Sequence, residues 1–78
     1  MKLIPIASNQ NQLELNNGTV ILFSYKTPVA AHIPGYGYVR TKHNWSRTTS
    51  KHINKWLHGV IGVASVDQSY LDNLAGVA

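Results

Sequence analysis

Thr19-Val20-Ile21-Leu22-Phe23-Ser24-Tyr25 is the densest run of β-branched and aromatic residues in the chain, and its reading decides the fold. Such side chains suit an extended, pleated backbone. A period of two sends Ile21, Phe23 and Tyr25 to one face and Val20, Leu22 and Ser24 to the other. Residues 20–23 are also the longest apolar stretch, far short of the ~18 residues that a membrane-spanning helix needs. The run is therefore expected to be a buried strand.

Before this strand, Asn16-Asn17-Gly18 supplies an Asn-Gly pair that accepts the positive φ angles of a tight hairpin turn. Residues 12–15 are then a short pairing strand, residues 8–12 an Asn/Gln-rich loop, and residues 3–7 a first strand. Pro5 places that first strand at a sheet edge or makes it a strand entry. After the central strand, Thr27-Pro28 is expected to break the ladder, because proline donates no hydrogen bond. Residues 29–33 resume as a strand, Pro34-Gly35-Tyr36-Gly37 turns back, and residues 38–42 pair in return. There Tyr38, Arg40 and Lys42 share one face, and Val39 and Thr41 the other.

The pattern changes at Ser46. Residues 50–58 place Ile53, Trp56 and Leu57 on one side of a helix and Lys51, Lys55 and His58 on the opposite side. Thr48 or Thr49 is expected to cap this helix, and Gly59 to end it. Residues 60–64 read as a further strand or an apolar connector. Ser65-Val66-Asp67-Gln68 has the Ser-x-x-Gln spacing of a capping box, so a last helix should bury Tyr70, Leu71 and Leu74 and stop at Gly76. The expected fold is α+β: a small antiparallel sheet of three to five strands with two short helices packed on one face. Ile21, Phe23, Val29, Ile33 and Val39 would meet Ile53, Trp56, Leu57 and Leu74 in one core.

At 78 residues the chain is expected to be a single domain over residues 1–78, with a small core and no room for a large enclosed site. Without cysteine there is no disulfide scaffold, thiol chemistry or Cys-based zinc site. No apolar run resembles a signal peptide or membrane span, so a cytoplasmic protein with no membrane partner is expected. Charged residues are 13%, about half the usual ~25%, and Asn, Gln, Ser and Thr take their place.

The net charge of +4 is unevenly placed. Lys26, Arg40, Lys42, Arg47, Lys51 and Lys55 all fall in residues 26–55, whereas Glu14, Asp67 and Asp72 lie outside. A one-sign block of this kind points to an acidic partner, with nucleic acid the first choice.

The stretch from residue 22 to 57 resembles a family of small uncharacterised proteins encoded by phages and prophages. Phe23-Ser24-Tyr25, Thr27-Pro28-Val29-Ala30-Ala31, Tyr38-Val39-Arg40-Thr41 and Trp45-Ser46 carry the resemblance. Its most specific block continues through Thr48-Thr49-Ser50 and His52-Ile53-Asn54-Lys55-Trp56-Leu57. Family members often have Pro where Asp67 stands, and both residues suit the first turn of a helix. The resemblance implies a viral origin and a host bacterial cytoplasm, with no activity to carry over.

Catalytic and metal-binding chemistry is weakly represented. His32, His43, His52 and His58 lack the spacing of three or four that places two ligands on one helix face. Ser46, Ser50 and His52 have no acid nearby to orient an imidazole. The three carboxylates are scattered, and Gly35-Tyr36-Gly37 lacks the Gly-Lys-Ser/Thr end of a phosphate loop. No enzyme activity and no cofactor are expected. Binding remains, through Tyr36, Tyr38, Arg40, Lys42, His43, Trp45, Arg47, Lys51 and Lys55, where aromatics alternate with cations. Aromatics stack on bases while cations meet phosphates. The same residue types also suit an acidic surface of a host protein. The alternative reading is thus a viral inhibitor or modulator of transcription, replication or anti-phage defence machinery such as CRISPR. Self-association is a third class, and the oligomeric state is left open.

Overall fold

The computed structural model describes residues 2–76, folded as a six-stranded sheet with two helices. Strands β1 (Lys2–Ala7), β2 (Gln10–Glu14), β3 (Val20–Ser24), β4 (Thr27–Ile33) and β5 (Gly37–Thr41) form an antiparallel meander. Helix α1 (Arg47–Trp56) then crosses over the sheet and delivers β6 (Ala64–Val66) parallel to β5. Helix α2 (Gln68–Leu74) follows directly. The sheet thus exceeds the expected three to five strands, and one of its pairings is parallel. A parallel pair needs a crossover of a dozen or more residues, which α1 and its flanking loops supply.

The helices lie on opposite faces of the sheet, which corrects the expected one-sided packing. Ile21 and Leu22 are neighbours in β3 and both fully buried. Leu22 packs with Val29, Ala30, Ile53 and Leu57 under α1, while Ile21 packs with Ala31, Val39 and Leu71 under α2. Of the expected single core, Phe23, Ile33, Val39 and Leu74 belong with α2, and Val29, Ile53, Trp56 and Leu57 with α1.

A bulge in β4 makes that division possible. Leu22 pairs with Ala30 but Phe23 with Pro28, which leaves Val29 as the extra residue. Both Val29 and Ala30 then reach the α1 side. Pro28 therefore does not end the strand; it sits fully buried inside β4, next to the bulge.

The ends of the elements also differ from expectation. Helix α1 is capped by Ser46, whose Oγ accepts a hydrogen bond from the Thr49 amide at 3.1 Å, so it starts before residue 50. Gly59 follows with φ of 78°, in the left-handed region expected of it. Ser65 lies in β6 and makes no capping box; Asp67 occupies the N-cap position of α2 without a side-chain hydrogen bond. Of the three residues expected to be buried by α2, Leu71 is fully buried and Leu74 partly so, whereas Tyr70 is exposed. No helix among the described residues is long and apolar enough to cross a membrane.

Candidate nucleic-acid interface

The register brings several loops to one end of the sheet. Ser24 pairs with both Gln10 and Thr27, and Thr41 pairs with Val66, so these residues mark a common edge. Beyond it lie the β1–β2 turn, the Tyr25-Lys26 turn, residues 42–46 leading into α1, and the start of α2. Tyr25 holds a φ of 58°, and its amide donates to the Asn9 carbonyl at 2.7 Å.

A buried polar cluster fastens α1 at this end. Ser24 Oγ lies 2.7 Å from His52 Nδ1 and 3.1 Å from Thr49 Oγ1, and all three residues are buried. The serine, threonine and histidine thus satisfy one another where a sheet and a helix meet. Further along α1, the Trp56 indole N–H donates to Gln12 Oε1 at 3.1 Å, and its ring meets Tyr38 edge-on at 5.9 Å. Burying Thr49, His52 and Ile53 on the sheet turns Arg47, Lys51, Asn54 and His58 towards solvent.

The nine candidate residues separate into five positions. Arg47 and Lys51 lie on the outer side of α1, and Arg40 joins them from β5, with its Nη1 in loose contact at 3.5 Å with Asn54 Oδ1. Lys55 is exposed on the flank of the helix beside Ile6, Ala7, Gln10 and Trp56. Lys42, His43 and Trp45 lie in the loop before α1. There Lys42 Nζ is 3.6 Å from Asp67 Oδ1, and the His43 ring meets Trp45 edge-on at 4.2 Å. Tyr36 projects from the β4–β5 turn, about 20 Å from Lys42 at ~3.4 Å per residue along β5. Tyr38 is half-buried between His32, at 4.5 Å, and Trp56. Tyr38 is thus a packing residue, and Tyr36 stands apart from the cations.

Lys42–Asp67 is the one ion pair among the described residues, so Arg40, Arg47, Lys51 and Lys55 carry charge that no carboxylate offsets directly. No group of three or more potential metal ligands occurs among the described residues.

Gln68 is a residue of this region that sequence reasoning missed. Its Oε1 accepts from the Trp45 indole N–H at 3.0 Å, and its Nε2 donates to the Pro28 carbonyl at 2.7 Å and to Asp72 Oδ1 at 3.0 Å. The Ser-x-x-Gln spacing drew attention to Gln68, but as a cap for its own helix rather than a clamp on another loop. Across the sheet, Leu3, Asn11, Leu13, Phe23, Tyr25 and Lys26 line a shallow hollow on the α2 side.

A family model described as a family of unknown function (DUF8033) matches residues 1–73. No curated protein and no solved structure matches the chain.

Proposed function

The chain belongs to this family of unknown function, and we propose that it is a non-enzymatic binding protein that holds nucleic acid against the exposed side of α1. One observation carries the reading. Arg47 and Lys51 stand on the outer side of a helix whose other side is anchored in the sheet, and Arg40 is brought alongside them by β5. Lys55 extends the positive surface along the helix flank. Their charges are unopposed by ion pairs among the described residues.

The mechanism is electrostatic. Each lysine or arginine that meets a phosphate releases a condensed counterion, so affinity falls as salt rises. A surface of this kind positions a phosphate backbone without reading its sequence. Anchoring by Ser24, Thr49 and His52 keeps the helix fixed, which limits the ordering cost of binding.

A second reading, an acidic surface of a host protein as the partner, is favoured by the exposed apolar side chains Leu3 and Tyr25 beside Lys26. In either reading, the resemblance of residues 22–57 to phage-encoded proteins supports a role in a bacterial cytoplasm.

Titrating the purified protein into labelled single- and double-stranded DNA and RNA at several salt concentrations tests the proposal. A log–log slope of about −0.9 per phosphate contact for duplex DNA, or about −0.7 for single strands, counts the cations engaged. Three or more contacts, lost in part with Arg47→Glu and Lys51→Glu, are expected. Absence of binding at low salt ends the nucleic-acid reading.

A further inference from the structure

Trp45 has about half of its surface open, at 45% exposure, although its one polar atom is already satisfied. The Gln68 amide that accepts its N–H is itself fixed. Its amino group serves the Pro28 carbonyl and Asp72, so only its oxygen can face the indole. The ring is therefore held at its edge by a clamp anchored on β4 and α2, with His43 against it at 4.2 Å. A large exposed aromatic usually loses rotamer freedom when a ligand covers it. Here the hydrogen bond and the histidine have already restricted it.

The surrounding charges are directional. On the α2 side, Asp67 pairs with Lys42 and Asp72 bonds Gln68, so that side carries engaged carboxylates. On the α1 side, Arg47 lies two positions beyond Trp45 and leads to Lys51 and Arg40. Around Trp45, phosphates are therefore favoured on the α1 side.

We propose that Trp45 is a stacking platform for an unpaired base, so that the ligand of the α1 surface is single-stranded nucleic acid. This rests on the nucleic-acid reading above and specifies it. A strand lying along Arg47, Lys51 and Arg40 can turn one base onto the indole at the N-terminal end of α1. Bases of a duplex are stacked on one another and reach a side chain in this way only after unstacking, which costs a few kcal/mol per step.

The test compares a 12-nucleotide oligothymidylate, an oligouridylate and a duplex of equal length, bound to native protein, Trp45→Ala, Trp45→Phe and the charge variant Arg47→Glu/Lys51→Glu. Trp45→Ala is expected to weaken single-strand binding roughly five- to a hundredfold, in line with ~1–3 kcal/mol per stacked base at 1.4 kcal/mol per tenfold. Trp45→Phe should recover most of that loss. Neither change alters the salt slope, because no charge is removed, and duplex binding stays unchanged. In native protein, the oligothymidylate should quench tryptophan emission, and Trp45→Phe should abolish the quenching. That emission measurement decides the matter if Trp45→Ala does not fold. Stacking is overturned if Trp45→Ala binds single strands like native protein while the charge variant does not. It is also overturned if single strands and duplex weaken equally, which marks a structural indole. If no oligonucleotide binds any variant at low salt, the nucleic-acid reading itself falls.

Discussion

Ser24 Oγ lies 2.7 Å from His52 Nδ1, joining β3 to α1 across 28 positions of the chain. The contact is buried, and Thr49 Oγ1 completes it from one turn earlier in the helix. An imidazole nitrogen in such a place costs free energy unless a partner serves it. Ser24→Ala removes the partner and is expected to destabilise the protein by about 1–3 kcal/mol. His52→Leu removes the other side and leaves the serine to Thr49. The double variant should therefore cost less than the sum of the two single changes, with a coupling of about 0.5–3 kcal/mol. Urea unfolding of the four proteins measures this cycle. Strict additivity would show that the two side chains stabilise the fold independently.

Leu71 is the fully buried side chain of α2, and it closes the second core with Ile21, Ala31 and Val39. Truncation to alanine leaves a cavity that so short a helix can collapse only in part. Leu71→Ala should cost about 2–5 kcal/mol. A domain of this size typically has only ~4–12 kcal/mol in total, so the urea midpoint should fall steeply. Ile61, 94% exposed, provides the control, and Ile61→Ser should stay within about 0.5 kcal/mol of native. An unchanged midpoint for Leu71→Ala would refute the docking of α2 on the sheet.

These two cores explain which parts of the fold were legible. The alternation around Ile21 and Leu22, the Asn17-Gly18 turn and the amphipathic spacing of Ile53, Trp56 and Leu57 each report a local preference that tertiary packing agrees with. The side on which α2 docks is not a local property. One signal for it existed, because apolar residues on both faces of residues 20–23 suit a sheet covered on both sides. The bulge at Val29 was hidden for a similar reason: Pro28 argued against a strand, and only the pairing of Phe23 with Pro28 reveals how it is accommodated. The three residues of β6 are too few to show a period. In the candidate site, spacing placed Lys51 and His58 on the solvent side of the helix but not Arg47, because α1 starts before residue 50, and Lys55 sits on the flank beside Trp56. The clamp from Gln68 to Trp45 joins residues 23 apart, and no local pattern encodes it.

Gly18 tests the first hairpin of the central strand. Its φ of 92° is unfavourable for any residue with a Cβ, and an added Cβ would stand 3.2 Å from Pro34 Cγ. Gly35 has a comparable φ of 78° with nothing within 4 Å of that position. Both alanine variants bear the left-handed backbone cost of about 1–2 kcal/mol, but only Gly18→Ala also presses on Pro34. Gly18→Ala is expected to be the less stable of the two in thermal unfolding. Adding Pro34→Ala should narrow the gap. Equal melting temperatures for the two glycine variants would mean that the Pro34 contact relaxes without cost.

Arg40 and Lys42 are two positions apart on one strand face in the sequence, yet their electrostatic settings differ. The Arg40 guanidinium meets the neutral Asn54 at 3.5 Å, whereas Lys42 faces Asp67 at 3.6 Å. Both groups of the ion pair are exposed, so the pair adds little stability, at most about 1 kcal/mol. Its larger effect is on the field that a phosphate meets. Arg40→Gln should reduce the salt slope of oligonucleotide binding by about one contact, while Lys42→Gln should change it less. Asp67→Asn removes the opposing carboxylate and frees Lys42, so affinity at low salt should rise severalfold and the slope should steepen. Tyr36→Ser, at the far end of the sheet, should leave binding as it is. Salt-dependent titrations of these four variants against one labelled single strand measure all of this together. A greater loss from Lys42→Gln than from Arg40→Gln, with no gain from Asp67→Asn, would move the phosphate path off α1 and onto the α2 side.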